Sequence, residues 1–287
     1  MLTSPLLADI VCFADYDRAH RGMILGKMLD TETGSETNLP GMNVERSHYP
    51  SAVAIQQRAA SRIYMFGGGD HNEEVLDSCE FIDVGEDRWI LLEARMNTPR
   101  ATACAMLLDH TTIVICGGVV NDDARKGMSS CESLDLNTHT FSPLPDMLKP
   151  RYGHAGVHYS GTVVVIGGGN RENTCEQFDP AVFRWTPFAP ISEGGRGGYV
   201  DAVVIEGKIY ARIAYDVSVR VYDGAAWTII TQIPKTFMSG AAVALGGKFV
   251  VIHSYKEDAD VFDPTTNSWS ILAAAFQRER NLIAISF

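Results

Sequence analysis

The fold of this chain is decided by three near-copies of one short stretch, RIYMFGGG at 62–69, TIVICGG at 112–118 and TVVVIGGG at 162–169. Their double glycines begin at residues 67, 117 and 167, so the stretch recurs every fifty residues. Each copy is a short apolar run that ends in glycine, which is typical of a strand buried on both faces. A repeat of this length indicates that one structural unit is used several times along the chain.

A second landmark follows each copy, an aspartate with a large aromatic residue six positions later. These pairs are Asp83 and Trp89, Asp135 and Phe141, Asp179 and Trp185, and Asp263 and Trp269. A shortened copy has Asp223 and Trp227, and the N-terminal copy keeps Asp30 but has Glu36 at the aromatic position. The aspartates are separated by 53, 52, 44, 44 and 40 residues, and the two chain ends together supply one more repeat length. We therefore count six repeats.

Each repeat contains about four short extended runs. The inner runs are apolar at every position, and the outer runs alternate between apolar and polar residues, as expected for half-exposed strands. No stretch shows a sustained helical period. Four antiparallel strands in a unit of this length predict an all-β fold, a six-bladed β-propeller.

The two chain ends are predicted to complete one blade together. Residues 8–14 (ADIVCFA) already match a second strand, so the first repeat lacks its innermost strand. Residues 280–287 (RNLIAISF) begin like the first strand of the repeat at 100–107. We expect a single propeller domain over residues 1–287, with blade 1 built from about 8–45 plus 280–287, which closes the ring and leaves no open sheet edge.

The same residues resemble kelch repeats. The resemblance is carried by the double glycine after an apolar strand, by aromatic–aspartate pairs such as Phe178–Asp179 and Phe262–Asp263, and by the tail LPDMLKPR at 144–151. It covers essentially the whole chain and is strongest in the three middle copies. The resemblance implies a protein-protein interaction module that binds a partner or substrate peptide, as in ubiquitin-ligase substrate adaptors and cytoskeletal scaffolds.

One face of the propeller is the predicted binding face. In an antiparallel meander, the loops between strands two and three lie at the same end as the links between blades. Five of the six links carry an arginine ten or eleven residues past the aromatic position. The candidate binding residues on this face are Arg46, His48, Tyr49, His71, Arg100, Arg151, Tyr152, Arg196, Tyr199, Tyr215, Tyr255 and Arg280.

Two interpretations of the arginines stay open on the sequence alone. Each arginine can lay its stem over the neighbouring blade and donate to main-chain carbonyls, as a structural residue. Alternatively, several guanidinium groups around one pocket form a local site for a carboxylate or phosphate group. The second interpretation predicts a partner motif that is acidic or phosphorylated.

Charge and composition exclude several classes of function. The chain carries 24 basic and 35 acidic side chains, a net charge of −11, which argues against nucleic acid and anionic membranes as partners. The longest apolar runs are far shorter than the roughly 20 residues of a membrane span. Residues 1–9 lack the basic start of a secretory signal, so we expect a cytoplasmic, intracellular protein. The sequence leaves the oligomeric state open.

The sequence offers no recognisable catalytic or metal-binding motif, so we assign no catalytic residue, metal ligand or cofactor. His154 and His158 lie on one strand about 13 Å apart, too far to share a metal ion. Cys79, Cys131 and Cys175 each stand four residues before a repeat aspartate, as small strand residues. The enzymatic alternative is a sialic-acid mutarotase, an epimerase whose kelch propellers resemble this chain in size and act at a basic central pocket.

Overall fold

The computed structural model describes residues 10–15, 24–30, 33–47, 49–56, 61–120, 126–169, 173–192, 198–214, 216–234, 240–254, 258–273 and 280–286. Every regular element in these residues is a β-strand. In this described part, no helical segment has the length and hydrophobicity that a bilayer crossing requires. The all-β fold predicted from the repeats is confirmed.

The strands form four-stranded antiparallel sheets in chain order. Sheet 1 contains β1 (Ile10–Asp15), β2 (Ile24–Leu29) and β3 (Glu36–Asn38). Sheet 2 contains β4 (Ser51–Ile55), β5 (Arg62–Phe66), β6 (Cys79–Asp83) and β7 (Ile90–Leu91). Sheet 3 contains β8 (Cys104–Asp109), β9 (Thr112–Cys116), β10 (Cys131–Asp135) and β11 (Thr140–Leu144).

The second half of the chain repeats this arrangement. Sheet 4 contains β12 (Ala155–Tyr159), β13 (Thr162–Ile166), β14 (Cys175–Asp179) and β15 (Arg184–Phe188). Sheet 5 contains β16 (Val200–Ile205), β17 (Lys208–Ile213), β18 (Ser218–Tyr222) and β19 (Trp227–Gln232). Sheet 6 contains β20 (Gly240–Leu245), β21 (Lys248–His253), β22 (Asp258–Asp263) and β23 (Ser268–Ala273), and β24 (Arg280–Ser286) returns to sheet 1.

The first strands of the sheets surround a central channel. Contacts run from β4 to β8, β12, β16, β20 and β24, and from β24 back to β4. Five sheets are each built from one contiguous stretch, whereas sheet 1 joins both chain ends. β24 pairs antiparallel with β1, with Val11 opposite Ile285, which is the terminal pairing predicted from the sequence.

The double glycines allow the sheets to approach each other closely. Gly67 and Gly68 both have positive φ, at 55° and 87°. A Cβ atom on Gly67 would collide with the carbonyl oxygen of Arg100 in the following link. The N–H of Gly68 donates to that same oxygen at 2.7 Å. The glycines are therefore needed both for their backbone conformation and for the contact between neighbouring repeats.

The repeat tryptophans of sheets 2, 4, 5 and 6 each bond to the segment or strand that ends the preceding sheet. The Nε1–H of Trp89 donates to the carbonyl of Pro40 in the segment after sheet 1, at 2.9 Å. Trp185 makes the same bond to Pro145 at 2.9 Å. Both rings are buried, and their polar nitrogen atoms have a partner, as buried indole groups require. The aromatic landmark of the sequence is thus an inter-sheet anchor.

Candidate binding site at the cavity mouth

A cavity of about 400 Å³ lies at the end of the channel where the links enter. It is lined by the first residues of the inner strands and by the residues just before them. Most of its wall is formed by small side chains, Ala52, Ala103, Ala105, Ala155, Gly156, Ala202, Ala241, Ala242 and Ala284. The cavity therefore opens on the predicted binding face, and small side chains keep it open.

Backbone hydrogen bonds hold part of the rim of this cavity. Thr102 N–H donates to Tyr49 O at 2.9 Å, and Gly153 N–H donates to Thr102 O at 2.8 Å. Val200 N–H continues the series by donating to Gly153 O at 3.0 Å. Tyr49, Thr102 and Gly153 all have positive φ, at 42°, 53° and 56°. Two of these residues are not glycine, and such backbone conformations cluster at ligand-binding sites.

Tyrosine rings occupy the rim. Tyr49 and Tyr199 are 41% and 43% exposed, although most tyrosine surface in a folded protein is covered. The rings of Tyr152 and Tyr199 meet edge to face with centroids 6.2 Å apart. The ring of Tyr199 lies directly over Gly153, and that of Tyr152 lies over Gly169. The rim thus presents aromatic surface that is seated on glycine backbone.

Two polar pairs interrupt the small-residue wall. In sheet 5, Arg212 Nη2 donates to Asp201 Oδ2 at 2.5 Å and to the carbonyl of Gly240 at 2.6 Å. Between sheets 3 and 4, Cys104 Sγ lies 3.0 Å from Nε2 of His154. In the described residues, no group of three or more His, Cys, Asp and Glu side chains is placed to hold a metal ion.

The link arginines are buried below the rim. Arg100 is 2% exposed, and its Nε donates to Glu132 Oε1 at 2.9 Å. Its Nη1 donates to the carbonyls of Gly117 and Ser130, both at 2.8 Å, and its Nη2 donates to the Ser130 hydroxyl at 3.1 Å. The guanidinium group is therefore fully engaged within sheet 3.

Arg46 and Arg151 repeat this arrangement. Arg46 pairs with Glu80 at 3.2 Å and Arg151 with Glu176 at 2.7 Å, and each also donates to the carbonyl of the first residue of the double glycine in its repeat, Gly67 and Gly167. All three arginines are at most 2% exposed. The idea that these three line a ligand pocket is wrong, because the interior carboxylates and carbonyls occupy their donors. The structural interpretation is the one that the contacts support.

Comparison with known proteins agrees with this architecture. The kelch motif family matches residues 100–148 and 150–192, which contain the bridges of Arg100 and Arg151. The solved structure titled "Structure of YjhT" superposes with a TM-score of 0.70 at 14% identity, over 86% of this chain and 90% of that one. This chain is a β-propeller that contains kelch motifs.

Curated relatives of this kelch propeller are longer proteins. Spermatocyte protein spe-26 of Caenorhabditis elegans is 23% identical over 229 residues, which is 73% of this chain but 39% of the relative. F-box/kelch-repeat protein At1g80440 of Arabidopsis thaliana is 24% identical over 263 residues, 86% of this chain and 73% of the relative. F-box/kelch-repeat protein At1g26930 of the same plant is 24% identical and matches over 48% of its own length.

The remaining predicted site residues fall into three groups. Tyr49, Tyr152 and Tyr199 lie at the cavity rim, as described above. His71 is exposed in the loop between β5 and β6, where its Nδ1 lies 3.3 Å from a carboxylate oxygen of Glu45. Residues outside the described part of the kelch propeller are His48, Arg196, Tyr215, Tyr255 and the side chain of Arg280.

Sequence reasoning missed the glutamates that neutralise the arginines. A tripeptide of Ser or Thr, then Cys and Glu, recurs at 78–80, 130–132 and 174–176, and this repeat was the available signal. The glutamate stands three residues before each repeat aspartate. The same position holds Lys27, Arg220 and Asp260 in the other repeats, so the arginine–glutamate bridge belongs to sheets 2, 3 and 4.

Sequence reasoning also missed the two polar pairs in the cavity wall. Cys104 begins an inner strand, and His154 precedes the equivalent strand of the next repeat, fifty residues later. Arg212 lies opposite Asp201 on the paired strands β16 and β17. Neither pair forms a known sequence motif. Strand pairing within sheet 5 brings Arg212 to Asp201, whereas the packing of sheets 3 and 4 around the channel brings Cys104 to His154.

Replacing Gly153 with alanine is expected to displace the Tyr199 ring from its place at the rim. The new Cβ atom would overlap the ring, and the φ of 56° is unfavourable for alanine. The matched control is Gly161→Ala, where φ is 81° but no atom lies within 4 Å of the added Cβ. Near-ultraviolet circular dichroism measures the tyrosine environment, and equal spectral changes in both variants would contradict the proposed ring packing.

Proposed function

We propose that this kelch propeller is a protein-interaction module that binds a segment of a partner protein at the mouth of its central cavity. The observation that carries the proposal is the pair of exposed tyrosines, Tyr49 and Tyr199, at the rim of the cavity. Exposed tyrosines beside a concave surface are typical anchors of protein interfaces, because each buries a large apolar ring and keeps a polar hydroxyl.

The rigidity of the rim supports this role. Hydrogen bonds join the backbone of successive inner strands, and glycine at 153 seats the ring of Tyr199. A binding surface that is already ordered loses little conformational entropy when its partner arrives. The cavity below the rim is large enough to accept one or two side chains of a bound segment.

We propose that the partner segment is acidic or phosphorylated. Fewer than the five link arginines predicted from the sequence are available to contact it. Arg46, Arg100 and Arg151 already pair with interior glutamates. Arg196 and Arg280 belong to the repeats that have Arg220 and Lys27 at the glutamate position, so this bridge is not available to them. We propose these two arginines as the cations of the binding face.

The names of several relatives support a role as the partner-binding part of an adaptor. They pair kelch repeats with an F-box, and this chain matches only part of the length of the curated proteins. We propose that the propeller acts as the substrate-binding portion of a ubiquitin-ligase adaptor. The sialic-acid mutarotase alternative required a basic pocket. The three described link arginines are buried and paired with glutamates, which weakens the support for such a pocket.

The test compares binding by the full chain and by two variants. Immobilised wild-type protein, the Tyr49→Ser/Tyr199→Ser variant and a Val182→Ser control are incubated with the same cell lysate, and retained proteins are quantified by mass spectrometry. Val182 is 57% exposed in the turn between β14 and β15, which lies at the opposite end of the strands. We expect specific partners to be reduced at least tenfold by the double tyrosine change and to be retained by the control.

The acidic character of the segment is tested on a partner found in this way. Binding should weaken as salt concentration rises and in an Arg196→Ala/Arg280→Ala variant, because charge-assisted hydrogen bonds are removed. Equal binding by wild type and the tyrosine variant, with unchanged melting temperatures, would place the interface elsewhere. If binding does not depend on salt and survives the arginine changes, the chain still acts as a protein-interaction module, but it does not prefer acidic partner segments.

A further inference from the structure

We propose that Cys104 is a nucleophilic cysteine, paired with His154, that adds covalently to small neutral conjugated carbonyl compounds entering the central cavity. This modification site lies in the cavity below the tyrosine rim, and it does not depend on the identity of a protein partner. The proposal rests on the geometry of the pair, on an unpartnered nitrogen of His154 and on the cavity that both side chains line.

The two side chains meet across the boundary between sheets 3 and 4. Cys104 is the first residue of β8, and His154 immediately precedes β12. The Sγ–Nε2 distance is 3.0 Å, short enough for the imidazole to take the thiol proton. The two residues are 8% and 5% exposed, and both line the cavity. A thiol beside an imidazole is the arrangement that activates cysteine as a nucleophile.

The second ring nitrogen of His154 has an unused capacity for hydrogen bonding. Its Nδ1 is buried and has no hydrogen-bond partner among the described residues. When Nε2 receives the proton from sulfur, both ring nitrogens become donors. A buried donor without an acceptor is costly, and a carbonyl oxygen on a bound molecule would satisfy it. The ligand class is therefore one that carries an electrophilic carbon close to a carbonyl oxygen.

The electrostatic surroundings distinguish Cys104 from two other buried thiols, Cys79 and Cys116. Burial alone raises the pKa of Cys104, but its hydrogen bond with Cys116 and the charge and hydrogen bond of His154 outweigh burial and lower that pKa. Burial raises the pKa of Cys79, which has no histidine beside it in its described contacts. Burial and the neighbouring thiols also raise the pKa of Cys116. The thiolate is thus concentrated on the cavity-lining cysteine.

The cavity wall keeps space for a small apolar molecule. Cys104 and His154 both line the cavity of about 400 Å³, and on its other side the sulfur is packed against Gly156, where an added Cβ would lie 2.9 Å from Sγ. Ala103, Ala105 and Ala155 form the neighbouring wall. Small uncharged compounds suit such a surface better than ionic ones, because a charge would lose its hydration there.

The addition balances without any further reactant. The thiol proton moves from Sγ to Nε2 of His154, and the thiolate forms a carbon–sulfur bond at the β carbon of the conjugated carbonyl. The electron pair of the carbon–carbon double bond moves onto the α carbon and the carbonyl group. The α carbon then takes the proton from Nε2. The product is a thioether, and His154 is neutral again.

The experiment uses N-ethylmaleimide as the conjugated carbonyl probe. The full chain is treated with a limiting amount at pH 7, quenched and digested, and labelling of each cysteine is followed by mass spectrometry. We expect Cys104 to react at least tenfold faster than Cys79 and Cys175, which are also buried and serve as internal controls. A maleimide carried on a long polyethylene glycol chain should not label Cys104, because the sulfur lies within the cavity.

Two histidine variants test the pairing. His154→Gln should slow labelling of Cys104 at least tenfold, because an unassisted thiol is only a few per cent ionised at pH 7. His158→Gln changes an exposed histidine of the adjoining strand β12 and should leave the rate unchanged. Labelling of Cys104 no faster than Cys79 and Cys175 overturns the proposal, whether or not the variants fold. Unchanged labelling in a folded His154→Gln variant also overturns it.

Discussion

Replacing Arg100 with alanine is expected to lower the free energy of unfolding by about 3 to 5 kcal/mol. The change leaves Glu132 charged, 1% exposed and without its cationic partner. It also removes the donor that serves the carbonyls of Gly117 and Ser130. A buried carboxylate without its cation and a Gly117 carbonyl without this donor are each unfavourable in a low-dielectric interior, whereas the Ser130 carbonyl still accepts from the Gly117 N–H at 3.0 Å. Urea denaturation followed by tryptophan fluorescence measures the loss.

A surface ion pair of similar length supplies the control. Arg95 lies 2.7 Å from Asp77, but its side chain is 56% exposed. Arg95→Ala should therefore change stability by less than about 1 kcal/mol. The double variant Arg100→Met/Glu132→Leu should be more stable than Arg100→Ala, because no unpaired charge remains. Equal losses for Arg100→Ala and Arg95→Ala would show that the bridge does not brace the sheet.

Deleting residues 280–287 is expected to abolish cooperative unfolding. The deletion removes β24, which pairs along β1 and contacts β20 and β4 on its two sides. Ile283 and Ile285 pack against the apolar cluster of sheet 2 that contains Ile63 and Met65. Loss of β24 would expose this surface together with the unpaired edge of β1. Differential scanning calorimetry should show no sharp transition.

Addition of the missing strand in trans provides the control for this deletion. A synthetic peptide with the sequence of residues 280–287 should restore part of the transition when it is added in excess, because it can pair with β1. A peptide of scrambled sequence should not restore it. A truncated chain that melts within a few degrees of the full-length protein would contradict closure by β24.

The regular features of the fold could be predicted because they repeat. The double glycines recur in three units and the aspartate–aromatic spacing in most of them, and the terminal half-repeats complete one more unit, so all three report requirements of the repeated backbone. Such requirements are local to the repeat, since they concern positive φ, the burial of a strand and one contact with the next unit that recurs along the chain. The position of the binding face could be predicted as well. In an antiparallel meander the connections alternate between the two ends of the strands, so the links between blades and the loops between strands two and three lie at the same end.

The role of the arginines could not be decided by the same reasoning. A periodic arginine is equally compatible with an exposed ring and with an internal brace. The partner that decides between them, Glu132 for Arg100, lies 32 residues away on a different strand. The tripeptide that contains this glutamate occurs three times in the sequence. Its role follows only from the structure, in which β9 and β10 lie beside the preceding link and place the glutamate within hydrogen-bonding distance of the arginine.

The sequence by itself determined the all-β repeat architecture, the joining of the two chain ends and the end of the strands where binding is proposed. Only the tertiary structure decided which side chains share the cavity. Cys104 and His154 are fifty residues apart and belong to different sheets, and their 3.0 Å contact arises from how those sheets pack around the channel. Side-chain pairs of this kind do not recur periodically along the sequence, because each forms where two unlike positions of the chain come into contact in three dimensions.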